Sequence, residues 1–202
     1  MGSTLHHMVS ALQKAPAERV TYVPLVGGMG RLRMELHANS LAEKMSRLGD
    51  GTFIPLHAPA RVSSTLVRDE LMKEESVQDA VKLMNRIDVA LVGIGYPNEH
   101  SAIKATGYYK ENEIESLISR KAAGELCMQF YDMEGRTEPY VSDNAVIGMD
   151  IQRLRKVPCS VGIAGGREKL AAIQGAINGK YINVLITDTE CARALLSDEE
   201  EE

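Results

Sequence analysis

Three apolar segments of this sequence end in glycine: "PLVGGMG" (24–30), "ALVGIGYP" (90–97) and "GIAGGREK" (162–169). Glycine reaches positive φ without a Cβ penalty, and its bare backbone lets N–H groups approach a ligand. At the third turn, Gly165-Gly166 is followed at once by Arg167 and Lys169, where a helical pattern starts. A helix N-terminus presents unpaired N–H donors and a partial positive charge, to which Lys169 adds a full one. Such a cradle suits a phosphate monoester on a small molecule and needs no metal or cofactor. The plainer reading keeps the glycines as tight turns and Lys169 as a solvated side chain. Three such turns in register favour a ligand.

Other chemistries find no support. "GIGYPN" is not the dinucleotide fingerprint, and no G-x-x-x-x-G-K-[ST], G-x-S-x-G or H-E-x-x-H occurs. His6 and His7 are adjacent and so face different ways on a helix, while His57 and His100 fall in loops; no metal set results. Cys127, Cys159 and Cys191 are odd in number and far apart, which points to reduced core thiols and a cytoplasmic protein. No apolar run is long enough to span a membrane. The net charge is −5, and the five acidic residues 198–202 account for all of it. That balance, with 4% aromatic residues and no Trp, argues against the chain itself gripping nucleic acid.

The elements that must position these turns follow from the apolar pattern. Strands are expected over 20–26, 52–56 and 88–95, the last continuously apolar and so covered on both faces. Helices are expected over 31–48, over 76–87 with Ser76 as N-cap, and over 111–122 with Ile114, Leu117 and Ile118 inward. Residues 123–140 read as extended with a turn at Glu134-Gly135, and 150–157 as a short helix stopped by Pro158. Residues 159–188 then give strand, helix and strand, with Leu170, Ile173 and Ile177 against the sheet, and 189–196 closes as a helix. Strand–helix alternation implies α/β architecture: three layers, a mostly parallel sheet and helices on both faces. One domain over 1–197 and an acidic tail at 198–202 are expected.

The segments "GSTLHHMVSAL", "VPLVGGMG", "HANSLAEKM", "APARV", "ALVGIG", "AAGELCMQFYDMEG", "IGMDIQRLRKVP" and "AGGREKLAAIQGAINGKYINVLITD" occur in one order along nearly the whole chain. Together they resemble the effector-binding domain of SorC/DeoR-type bacterial transcriptional regulators, nearest the deoxyribonucleoside and central glycolytic gene regulator subtypes. The resemblance implies the fold of ribose-phosphate isomerase and glucosamine-phosphate deaminase, and a phosphorylated sugar as effector. It also implies a homodimer or homotetramer, and DNA binding only through a helix-turn-helix that this chain does not contain. Carried over by motif, Gly2, Ser3 and Thr4 supply phosphate-binding hydroxyls and amides. Gly27 and Gly28 line the crevice, and His37 and Asn39 are polar ligand contacts. The loop after Gly95, with Lys104, closes over the sugar, and Glu125 accepts sugar hydroxyls. Lys169, behind Gly165-Gly166, meets a phosphate or a ligand oxygen.

Two departures from the family pattern matter. The family places a basic residue just before the first glycine pair, where this chain has Val26, which can neither pair with a second phosphate nor condense with a carbonyl. The pattern's first strand–helix unit is also missing, so the expectation is native sequence from "GSTL" onward, not a tag, and a sheet short of an edge strand. The alternative function is a sugar-phosphate isomerase or deaminase, with Asp132, Glu125 or Asp188 as general base. Each has a plainer role: turn residue, hydroxyl acceptor and helix N-cap, respectively.

Overall fold

In chain order the elements are α1 (Ser3–Ala11), β1 (Thr21–Tyr22), α2 (Ala38–Gly49), β2 (Thr52–Phe53), α3 (Thr65–Leu71), α4 (Glu75–Met84) and β3 (Val89–Gly93). There follow α5 (Ala102–Ala105), α6 (Glu111–Ser119), β4 (Gly124–Leu126), β5 (Gln129–Tyr131), β6 (Cys159–Ile163), α7 (Leu170–Asn178), β7 (Val184–Ile186) and α8 (Thr189–Ser197). The computed structural model describes residues 2–16, 19–28, 30, 33–98 and 102–197. The expected acidic tail, His100 and the first two residues of the expected 31–48 helix lie outside the described residues. Among the described residues no helix is long and apolar enough to cross a membrane.

The expected single parallel sheet is instead divided. β1 pairs with β2, and β3, β6 and β7 form a separate parallel sheet in the order β3-β6-β7. Proline explains why the first pair is so short. Ile54 still donates to the Tyr22 carbonyl (3.0 Å), but Pro24 has no N–H to return to strand β2 and extend the ladder. Beyond it the chain changes partners: Gly28 bridges Pro59 in parallel, and Val26 bridges Gly148 antiparallel. β3 is likewise an edge strand among the described residues. Ala90 and Val92 are buried, but Val89 is 55% exposed, so the expected cover on both faces fails there. On β7, Val184 and Ile186 are exposed as well.

The helix at 31–48 begins later than the periodicity predicts. Met34–Leu36 make a 3-10 turn, and His37, with φ −68° and ψ 144°, is extended before α2 starts. Ser76 is not the N-cap of α4; Glu74 holds that position. Ile118 and Ile177 face solvent, while Ile114, Leu117 and Ile173 are buried as expected. Helices α1 and α2 lie side by side, tied at one end by the His6 ring to the Glu35 carbonyl (3.1 Å) and at the other by Ala15 N–H to the Leu48 carbonyl (3.0 Å). Leu5, Val9 and Leu41 from this pair pack on Val161 and Ile163 of β6.

Two larger cores remain. One joins α4, β3, α7 and Tyr181 through Met84, Val92, Ile173 and their neighbours. The other gathers Val26, Ala60, Ile103, Tyr109, Leu117 and Phe130. Val26, where the resemblance led to the expectation of a basic residue, is therefore a core residue with 2% of its surface exposed. Gly27 is required beside it because a Cβ there would lie 2.5 Å from the Ala58 and Pro59 carbonyl oxygens. Those are backbone atoms that cannot swing aside. Gly27→Ala is expected to cost about 2–3 kcal/mol of stability, read as a lowered urea midpoint with an unchanged slope.

Candidate functional site

β3 ends at Gly93, and two residues later the chain is caught by a different strand. Gly95 N–H donates to the Glu125 carbonyl (3.1 Å) and Glu125 N–H to the Gly95 carbonyl (2.8 Å). This bridge lays the Glu125 side chain against the Gly95 Cα, where a Cβ would overlap the carboxylate Oε1. Glycine at 95 thus makes room for a carboxylate, and its own amide is spent on holding the strand that carries it. Glu125 is 7% exposed. Its Oε2 accepts the Met128 N–H at 2.8 Å, while Oε1 has no hydrogen-bond partner among the described residues. Burial raises the proton affinity of this carboxyl, and the Met128 N–H and the charge of Lys169 act against that rise.

Lys169 is half-buried at the end of a 3-10 turn, Arg167–Lys169, that leads into α7. Its ammonium forms no hydrogen bond or ion pair with any described residue, yet it lies within electrostatic reach of Glu125. The second and third glycine turns therefore converge on one pair of groups. A carboxylate with a free oxygen can accept a hydroxyl hydrogen, and an unpaired ammonium can meet a phosphoryl oxygen.

The third turn itself differs from the open cradle its sequence suggests. Gly166, with φ 102°, donates its N–H to Asp188 Oδ2 at 2.7 Å. The anion at that amide is thus the chain's own. Asp188 Oδ1 accepts the Cys191 N–H at 2.8 Å and so caps α8 as expected. Arg167 is exposed and turns toward Glu190 (3.5 Å), away from a cradle role.

The remaining expected contacts are placed as follows. The Gly27 N–H goes to the Ile147 carbonyl (3.0 Å) and the Gly28 N–H to the Ala58 carbonyl (2.7 Å). Asn39 grips the backbone of Leu56 with both ends of its amide, at 3.1 and 3.0 Å, so its side chain serves the fold. Lys104 pairs with Glu111 at 2.9 Å. The His37 carbonyl accepts the Leu41 N–H at the start of α2. Gly2, with φ 101°, is the N-cap of α1, and Ser3 and Thr4 form its first turn with no side-chain cap; their N–H groups lack helical acceptors. Among the described residues no cluster of His, Cys, Asp or Glu could hold a metal.

Two contributors were not legible in the sequence. The Tyr108 hydroxyl donates to the Gly28 carbonyl (2.9 Å) and accepts from the Gly30 N–H (3.2 Å), fastening the first glycine turn to the loop beyond Gly95. The Met128 N–H holds the Glu125 carboxylate. Neither residue type advertises such a role.

Fold and site together define an α/β domain with a buried carboxylate at its strand ends and a lysine within electrostatic reach of it, and comparison with known proteins names the family. The family model described as "Putative sugar-binding domain" matches residues 1–197. The sorbitol operon regulator of Klebsiella pneumoniae is 31% identical over 96% of this chain and 62% of its own length. The deoxyribonucleoside regulator of Bacillus subtilis is 28% identical over 98% of this chain and 63% of its own. The crystal structure of the full-length Klebsiella regulator superposes with a TM-score of 0.88 at 31% identity, covering 95% of this chain and 63% of that one. The chain belongs to the sugar-binding domain family of SorC/DeoR-type transcriptional regulators. It spans less than two thirds of the length of these curated relatives.

The doubly bonded Asp188 makes a pH prediction. The Cys191 N–H, then the Gly166 N–H, hold its carboxyl below the usual range. A depressed native pKa stabilises the fold above the unfolded value, about 3.9, and that contribution disappears as pH falls through the native one. The stability gap between the native chain and Asp188→Asn should therefore narrow as pH drops from about 5 to about 3, measured by urea unfolding at each pH.

Proposed function

We propose that residues 1–197 form the effector-sensing domain of a SorC/DeoR-type regulator and take a phosphorylated sugar at the strand ends. Lys169 meets the phosphoryl group and Glu125 accepts a sugar hydroxyl. The first turn of α1 adds the amides and hydroxyls of Ser3 and Thr4, donors of the kind that suit an oxyanion, while the Gly2 N–H is taken by the Leu36 carbonyl (3.4 Å). The supporting observation is the buried Glu125 with one oxygen unengaged, in electrostatic reach of an unpaired Lys169. A carboxylate oxygen that no protein donor occupies can accept a ligand hydroxyl.

In this reading the fold is that of the ribose-phosphate isomerases and glucosamine-phosphate deaminases. Occupancy alters the contacts of a homodimer or homotetramer, and a DNA reader carried elsewhere in a longer polypeptide changes its grip on the operator. Such coupling requires different sugar affinities in the two assembly states. The protein acts in the cytoplasm, where operator and metabolite meet.

The enzyme reading is weaker because two of its three candidate bases, Asp132 and Asp188, are engaged, and the third, Glu125, is read as a hydroxyl acceptor. Asp132 accepts from the Arg136 N–H (2.8 Å), the Glu134 N–H (3.1 Å) and the Arg136 guanidinium (2.7 Å). Desolvation raises its proton affinity, but those bonds outweigh it and hold the carboxyl below its ordinary range. Asp188 is a double cap.

A thermal-shift screen against ribose 5-phosphate, deoxyribose 5-phosphate, fructose phosphates and glucosamine 6-phosphate should show stabilisation by at least one of them. Lys169→Ala should weaken the phosphorylated ligand by about tenfold more than the matching free sugar. Equal losses for both would remove Lys169 as the phosphate partner, and turnover of any of these sugars seen by NMR would overturn the sensor reading.

A further inference from the structure

The Glu125–Met128 hydrogen bond closes a turn that its own residues disfavour. Cys127 and Met128 join β4 to β5 with φ of 51° and 64°. These are the two left-handed positions of a two-residue hairpin, which Asn and Gly ordinarily fill. Side chains other than those seldom adopt this conformation, and it persists where the surroundings over-determine it. Two restraints are visible. Glu125 Oε2 takes the Met128 N–H at 2.8 Å, and the Met128 side chain is fully buried.

The hairpin also divides its side chains between the two larger cores. Leu126 and Tyr131 pack in the core with β3 and α7, whereas Met128 and Phe130 pack in the core with Val26, Ala60 and Tyr109. Cys127 touches both. The Tyr131 hydroxyl donates to the Ala172 carbonyl (2.9 Å) in α7, the helix that Lys169 introduces. Gln129 donates to the Met149 carbonyl (2.7 Å) and accepts the Ile151 N–H (3.1 Å), reaching the segment that bridges Val26.

We propose that the β4–β5 hairpin is the element that responds to ligand occupancy: a sugar hydroxyl donating to Glu125 Oε1 steadies the carboxylate whose other oxygen holds the left-handed turn, and the hairpin passes that tightening to both cores. The inference rests on the reading of Glu125 as a ligand contact. Because Oε1 is the unengaged oxygen, a ligand can bind without breaking the Met128 bond, so occupancy tightens the turn.

Cys127 is a built-in reporter. Cys127 is partly exposed at the turn and burial pushes its thiol up to about 12, so its alkylation is slow in the closed hairpin and speeds up as the hairpin opens. Iodoacetamide labelling of the native domain, read by peptide mass, is run with ribose 5-phosphate, deoxyribose 5-phosphate, fructose 6-phosphate or glucosamine 6-phosphate, and calorimetry scores binding separately. A sugar phosphate that binds should slow Cys127 labelling and Met128 amide exchange by about fivefold or more, with Cys159 labelling unchanged. Binding without either change overturns the inference and leaves the proposed function standing. No binding by any of the four overturns that function and this inference with it.

A ligand-free cycle tests the hold on the turn directly. Glu125→Gln should raise Cys127 labelling in the native background, and by less when combined with Met128→Gly, since glycine takes the left-handed position unaided. Equal increases in both backgrounds, or none in either, contradict the proposal.

Discussion

A carboxylate taken out of water must be met by donors or by a neighbouring cation, or it destabilises the fold that buries it. Glu125 is met only in part, and much of the domain's arrangement follows from how. Its backbone is pinned to Gly95 at the end of β3, one oxygen is pinned to the turn beyond β4, and a cation stands off within electrostatic reach at the head of α7. Three chain segments far apart in sequence are thus brought together around one charge. Glycine at 95 is the condition for this, because any side chain there would displace the carboxylate.

The glycine turns, alike in sequence, are used in three ways. The first is structural: its amides pair with neighbouring backbone, and Tyr108 fastens it from outside. The second gives way to Glu125. The third binds an anion, but that anion is Asp188, which also caps α8. An amide aimed at a carboxylate within the same chain shows that the turn has the electrostatic character its residues suggest. It leaves Lys169 as the charge not consumed by the fold.

Legibility in the sequence follows the range of the forces involved. β3, β6, α7, β7 and α8 were readable because each is a short apolar run bounded by glycine or a capping residue, and Asp188 announces its cap by position alone. The division of the sheet was not readable from hydropathy, since Pro24 cuts the ladder through a missing donor while the surrounding residues stay apolar. Asn39 looked like a ligand contact because the family resemblance places one in the motif "HAN", whereas its partner is the backbone of Leu56, seventeen positions away. The turn at Cys127-Met128 carries none of the residues that normally signal one. Its conformation comes from Glu125 and from burial, both tertiary effects. Val26 was legible as a departure from the family, and the structure supplies its physical counterpart in a core position.

The account depends on Glu125 and Lys169 lining the same ligand. A crystal of the domain soaked with a sugar phosphate that stabilises it tests this most directly. The expected map places the phosphoryl group within hydrogen-bond distance of Lys169 Nζ and a sugar hydroxyl on Glu125 Oε1. A ligand seated elsewhere, touching neither group, would contradict it.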